Sequence, residues 1–129
     1  NHSNRYVHHG NPIAQQDAYL HNKWMRLNLT AITADPNTPA ANRPFWHGPN
    51  YFNTGPPYLA TAKDMYAIAL KWADFAPLVH QQFPKLFAEM FGFVIATAHM
   101  NMPFALVQSL VVSTTMTNNR EGWPLIDAI

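Results

Sequence analysis

Between Met90 and Asn119 the chain contains no Lys, Arg, Asp or Glu. An uncharged run of that length has to be packed inside something. A membrane-spanning helix needs about 20 predominantly apolar residues, but residues 90–112 include His99, Asn101, Gln108 and Ser109, with Pro103 near the middle. A buried helix followed by a buried strand fits better, and no membrane span is expected. Glu89 stands at the head of this run, within the apolar, aromatic segment Leu86 to Ala96. A carboxylate entering such a segment must lie at its solvent edge, find a partner or keep its proton, because burying it bare costs several kcal/mol or more. Glu89 is therefore the leading candidate for a site residue.

A chain of 129 residues is ordinarily one domain with a core of its own, so residues 1–129 are taken as a single unit. The charged fraction of 12% is about half the usual value, which suggests that part of the surface is covered by a larger protein or assembly. The net charge of +1, without a Lys/Arg cluster, leaves no electrostatic footprint for nucleic acid. Cysteine is absent, which excludes disulfides, thiolate catalysis and Cys-ligated zinc. Asn28-Leu29-Thr30 and Asn1-His2-Ser3 fit the N-glycosylation acceptor pattern. The chain begins with Asn and has no signal peptide, so it reads as processed or as a part of something longer.

Residues 1–12 form a polar lead-in ending in the turn chemistry of Gly10-Asn11-Pro12. Ile13, Leu20, Trp24 and Leu27 recur at helical spacings and predict a helix near 13–26, while 27–33 alternates loosely enough to suggest a short strand. Residues 35–57 are read as a long proline-stiffened loop carrying Phe45, Trp46, Tyr51 and Phe52. Its aromatics either stack on a flat or sugar-like ligand or plug the edge of the core. Tyr58 to Ala60 reads as a short strand. Thr61 to Asp64 matches a capping box in its Asp variant. Met65, Ile68, Ala69, Trp72 and Phe75 then trace one apolar helix face, and Pro77 is expected to end or kink that helix. A second helix is expected to open at Phe83-Pro84, carry Leu86, Met90, Phe93, Val94 and Thr97 on one side, and stop near Asn101. Residues 105–116 read as strand and 118–124 as a turn and tail. His99 reads as a satisfied core histidine. A metal site at His8-His9 would need His2, His21 or Asp17 to converge.

Taken together, three segments resemble the peptidyl glycosyltransferases of plants and green algae, the hydroxyproline O-arabinosyltransferases and peptidyl serine α-galactosyltransferases. They are Thr54-Gly55-Pro56-Pro57, Ile68-Ala69-Leu70-Lys71-Trp72 and Glu89-Met90-Phe91-Gly92-Phe93. The segment Gly10 to Leu20 is similar to the stretch that follows the metal-binding aspartates of that family. The likeness covers about residues 54–101, and the core of the resemblance is taken as 58–116. Leu70 replaces the family's helix proline, Leu86 its tryptophan, and Phe91 and Phe93 its tyrosines, which removes two hydroxyls.

The resemblance implies an α+β fold, part of an α/β GT-A-like architecture, with two central helices on a few strands. It implies the acceptor-side portion of a peptidyl O-glycosyltransferase in the secretory lumen (endoplasmic reticulum or Golgi), incomplete and inactive alone. Glu89 would be the general base or would hold an acceptor or sugar hydroxyl; the competing role is a helix-start carboxylate satisfied by amides or by Lys85. Asp64 or Asp74 would assist, and Trp46, Tyr58 and Trp72 would line a groove for peptide or sugar, with Trp72 alternatively a core residue. A UDP-sugar and Mn²⁺ are expected only for a complete enzyme; no metal ligand is assigned to this chain. The second reading is a non-catalytic interaction subunit of a larger assembly, for example an organellar complex. The third is a small carbohydrate-binding module, which rests on the aromatics alone.

Overall fold

The computed structural model describes residues 7–17, 20–108 and 110. It is a mixed α+β unit in which a small sheet flanks a pair of packed helices. Strands β1 (Ile13–Gln16), β2 (Thr54–Leu59) and β3 (Ala105–Val107) lie in the order β2-β1-β3. The central strand β1 runs antiparallel to β2 and parallel to β3. Helix α1 (Leu29–Thr33) is a single short piece; α2 (Ala62–Gln82) and α3 (Ala88–His99) form the body.

Residues 13–26 are not one helix. Ile13, Ala14 and Gln15 are buried between two neighbouring strands, and only Lys23–Arg26 coils, as a 3-10 turn. Ile13 to Leu27 looked helical because a strand and a turn happen to place buried residues at helix-like intervals. Residues 27–33, read as a strand, instead form α1, where the Asn28 side chain accepts the Ala31 N–H at 3.2 Å. That cap outweighs the β-branched content of a five-residue segment.

The loop reading holds in part: 35–53 carries only a 3-10 turn at Pro39–Asn42 and a π-type turn at Gly48–Phe52, but β2 starts earlier than expected, at Thr54. The pairing of β1 with β2 slips between Ala14 and Gln15. The two residues of β2 left over are Pro56 and Pro57, which are exposed and lack the N–H a ladder needs.

Thr61 caps α2 as predicted, its Oγ1 accepting the Asp64 N–H at 3.2 Å. Of the expected apolar face, Ile68 and Phe75 are buried, Met65 and Trp72 are partly so, Val79 extends the stripe and Ala69 is exposed. Pro77 neither ends nor divides the helix, which continues through it to Gln82. Pro77 and Ala73, whose carbonyl loses its partner, both lie on the solvent side, where water can satisfy that oxygen. α3 starts at Ala88, later than Phe83-Pro84, and ends at His99, so Pro84 and the 75%-exposed Leu86 belong to the preceding turn. Every residue from Phe91 to Ala98 is buried, which accounts for the charge-free sequence there.

The two helices meet closely at Gly92, where an added Cβ would come within 3.2 Å of Ala76 Cα and 3.3 Å of the Trp72 ring. The main core gathers Trp24, Phe52, Phe75, Val79, Phe91 and Ile95. A second cluster of Ala14, Ile68, Phe93, Met102 and Phe104 joins helices to sheet. Burying one such large side chain stabilises by about 1.5–3 kcal/mol. His99 is satisfied, as read: its Nδ1 lies 2.8 Å from Thr38 Oγ1 and its ring edge meets Phe75. The predicted strand beyond 110 and the turn at 118–124 lie outside the described residues. No helix among those residues is long and apolar enough to cross a membrane.

Candidate functional site

Tyr58, Trp72 and Glu89 come from three separate elements: Tyr58 and Trp72 meet at Phe93, and Trp72 reaches Glu89. Tyr58, at the end of β2, stacks on Phe93 with ring centroids 4.2 Å apart. Trp72, midway along α2, meets Phe93 edge-on at 5.1 Å. Its indole Nε1 donates to the Glu89 main-chain carbonyl at 2.8 Å. The backbone of Glu89 is therefore pinned by a half-buried aromatic while its side chain is exposed. Lys85, the alternative partner, sits over the Phe83 ring at 5.8 Å.

The Tyr58 phenol reports how these groups face one another. Its pKa is pushed up to about 12, first by burial, then by the negative charges of Asp17 and of Glu89. The Thr54 hydroxyl acts in the opposite sense, and more strongly than Glu89, whose contribution is the smallest of the four. Asp17 and Glu89 thus both act on one partly buried phenol. Gly55 permits the approach of Asp17, since a Cβ there would lie 3.0 Å from Asp17 Oδ2.

Asp17 also lines a cavity of about 260 Å³ with Gln16, His21, Asn22, Pro49 and Asn53. Asn53 is the knot of its wall. Its N–H donates to Gly48 O at 2.8 Å, its carbonyl accepts from the Asp17 N–H at 3.0 Å, and its buried Oδ1 accepts from the Trp24 indole at 2.9 Å. Of the lining residues, Asp17 and His21 appear in the sequence analysis only as metal-site candidates; Gln16, Asn22 and Asn53 were missed. The available signal was the Asn22 to Trp24 stretch, because a buried indole needs an acceptor such as Asn53. Among the described residues no three His, Asp or Glu side chains are grouped to hold a metal ion.

Among the described residues, four other than glycine have left-handed backbones: His21, Ala34, Phe87 and Asn101. Ala34 and Asn101 follow the ends of α1 and α3, where such geometry is a normal helix stop. His21 lines the cavity and Phe87, with φ of 78°, immediately precedes α3. At these two positions nothing of that kind compensates the cost of about 1–2 kcal/mol per residue. Phe87 sets the direction in which the chain enters α3 and presents Glu89.

The remaining predicted site residues lie elsewhere. Asp64 is buried at the start of α2, where its Oδ2 accepts the Gly10 N–H at 2.7 Å and His9 approaches within 3.8 Å. It fastens the lead-in segment and is not directed at the Tyr58–Glu89 group. Trp46 is 56% exposed on the proline loop, edge-on to His47 at 4.1 Å and 6.0 Å from Tyr51.

Compared with known proteins, the chain matches no family model, no curated protein and no solved structure.

Proposed function

We propose that this chain is the acceptor-side portion of a peptidyl O-glycosyltransferase of the secretory lumen, acting on hydroxyproline or serine and built on part of a GT-A-like architecture. The observation that carries the reading is Glu89: an exposed carboxylate whose main-chain carbonyl is held by the Trp72 indole. A base needs a fixed position and access to the substrate proton; the held main chain and the exposed carboxylate support that role. In this role Glu89 takes the proton of the acceptor hydroxyl. The freed oxygen attacks the anomeric carbon of the sugar nucleotide, and the bond from that carbon to the diphosphate breaks. The described residues offer no cation site for the departing diphosphate, so we assign them no step through Mn²⁺. The donor half belongs to another part of the complete enzyme.

The test is transfer from UDP-sugars, with Mn²⁺, to hydroxyproline- and serine-containing peptides by the complete natural polypeptide. Glu89→Gln should lower turnover by about 100-fold or more with an unchanged unfolding midpoint. Full activity of that variant would remove Glu89 from the chemistry.

A second reading has its own support. Phe45, Trp46, Tyr66, Leu70 and Leu86 are each more than half exposed, and such apolar surface suits burial in a larger assembly. Absence of any turnover by the complete polypeptide would favour this interaction-subunit reading.

A further inference from the structure

We propose that Asn28 is an acceptor for an N-linked glycan, its side-chain amide receiving an oligosaccharide from a lipid-diphosphate carrier. The triplet Asn28-Leu29-Thr30 has the required pattern, and the structure specifies what each atom of the acceptor is doing. Asn28 Oδ1 accepts two hydrogen bonds, from the Ala31 N–H at 3.2 Å and from the Thr30 hydroxyl at 3.0 Å. Two donors on one atom fix the orientation of the amide, so Nδ2 is the outward atom. No hydrogen bond among the described residues uses it, and both Asn28 and Thr30 are exposed.

The main chain at this position is held independently of the side chain. Gln82, the last residue of α2, accepts the Asn28 N–H through Oε1 at 2.8 Å and donates from Nε2 to the Asn28 carbonyl at 3.4 Å. Backbone N–H, backbone carbonyl and side-chain oxygen are therefore all engaged, and the nitrogen that would carry the sugar is the spare one. In the transfer, Nδ2 forms a bond to the anomeric carbon, and the bond from that carbon to the carrier diphosphate breaks. Nδ2 gives up one proton to a base of the transferring enzyme, and the diphosphate leaves with the bonding pair. The product is still an amide with its carbonyl oxygen intact, so the contacts to Ala31 and Thr30 survive.

This proposal shares with the preceding one only the secretory lumen; it needs no catalytic activity from this chain. The test is expression of the full chain behind a secretion signal in a eukaryotic host, with peptide mapping before and after treatment with a peptide N-glycosidase. Asn28 should be occupied in the wild type and in Thr30→Ser, and unoccupied in Thr30→Ala and Asn28→Gln. Glycosylated and enzymatically trimmed protein should unfold at the same midpoint. A secreted wild type with a bare Asn28, or a glycan found only on Asn1, overturns the proposal. So does occupancy that persists in Thr30→Ala. Since occupancy is read without any sugar-nucleotide assay, an inactive chain with a modified Asn28 would count against the transferase reading alone.

Discussion

The raised pKa of Tyr58 predicts a specific weakness at alkaline pH. The phenol ionises near 10.0 when unconstrained and at about 12 in the fold. Between those values the unfolded chain releases its proton and the folded chain keeps it. Stability is therefore whole below about pH 10 and falls as pH rises towards 12. A gap of about two pH units corresponds to about 2.7 kcal/mol; because the ring is only partly buried, about 1–2 kcal/mol is the realistic share. The assay is urea unfolding of wild type and Tyr58→Phe at about pH 9 and about pH 11.5. The Phe variant keeps the stack on Phe93 and removes only the ionising group. The wild type should lose about 1–2 kcal/mol more than the variant between the two conditions, a midpoint difference of about 1 M urea. Phenolate absorbance supplies the second measurement: Glu89→Gln and Asp17→Asn should each bring the Tyr58 titration down towards 10. Equal pH slopes for wild type and Tyr58→Phe would refute the burial argument. A titration indifferent to Glu89→Gln would show that Glu89 does not face the phenol, and the proposed site would lose its geometric basis.

Two further outcomes test the frame of the site. Trp24→Phe leaves Asn53 Oδ1 buried without its donor and opens a gap in the core, so about 2–4 kcal/mol should be lost, or roughly 8–15 °C in Tm by calorimetry; a loss under about 0.5 kcal/mol would mean that Asn53 does not depend on the indole. Burial, helped by Lys71 and opposed by Asp35, holds the His99 pKa below 6.5, so the unfolded chain takes up its proton first and stability should decline as pH falls below about 6.5, a slope that urea titrations should find missing in His99→Gln.

The parts of the fold legible in the sequence were those where a local signal agreed with its tertiary setting. Thr61 as a cap, the Ile68–Phe75 stripe and the buried run after Glu89 are of that kind. The errors came where packing overrode local chemistry. Pro77 was expected to end or kink α2, but the helix runs through it, with Pro77 and Ala73 on the solvent side where water can satisfy the freed carbonyl. Ile13 to Leu27 carried a helical spacing without a helix, because β1 owes its burial to partners some 45 and 90 residues away. The candidate site divides in the same way. Tyr58 and Trp72 meet at Phe93, a residue whose position follows from the α3 pattern, and Trp72 reaches the Glu89 carbonyl. Asp64 was drawn off by the Gly10 amide, a contact no spacing rule encodes. The cavity residues Asn22 and Asn53 are polar positions in irregular chain, with no periodicity to mark them.

The paired prolines of β2 bear on how this small sheet could be built into anything larger. Incoming backbone needs donors as well as acceptors, and the flank carrying Pro56 and Pro57 is short of donors. β3, at the opposite margin, contains no proline. Accretion of additional strands is thus biased towards one side, which gives the unit a front and a back before any partner arrives.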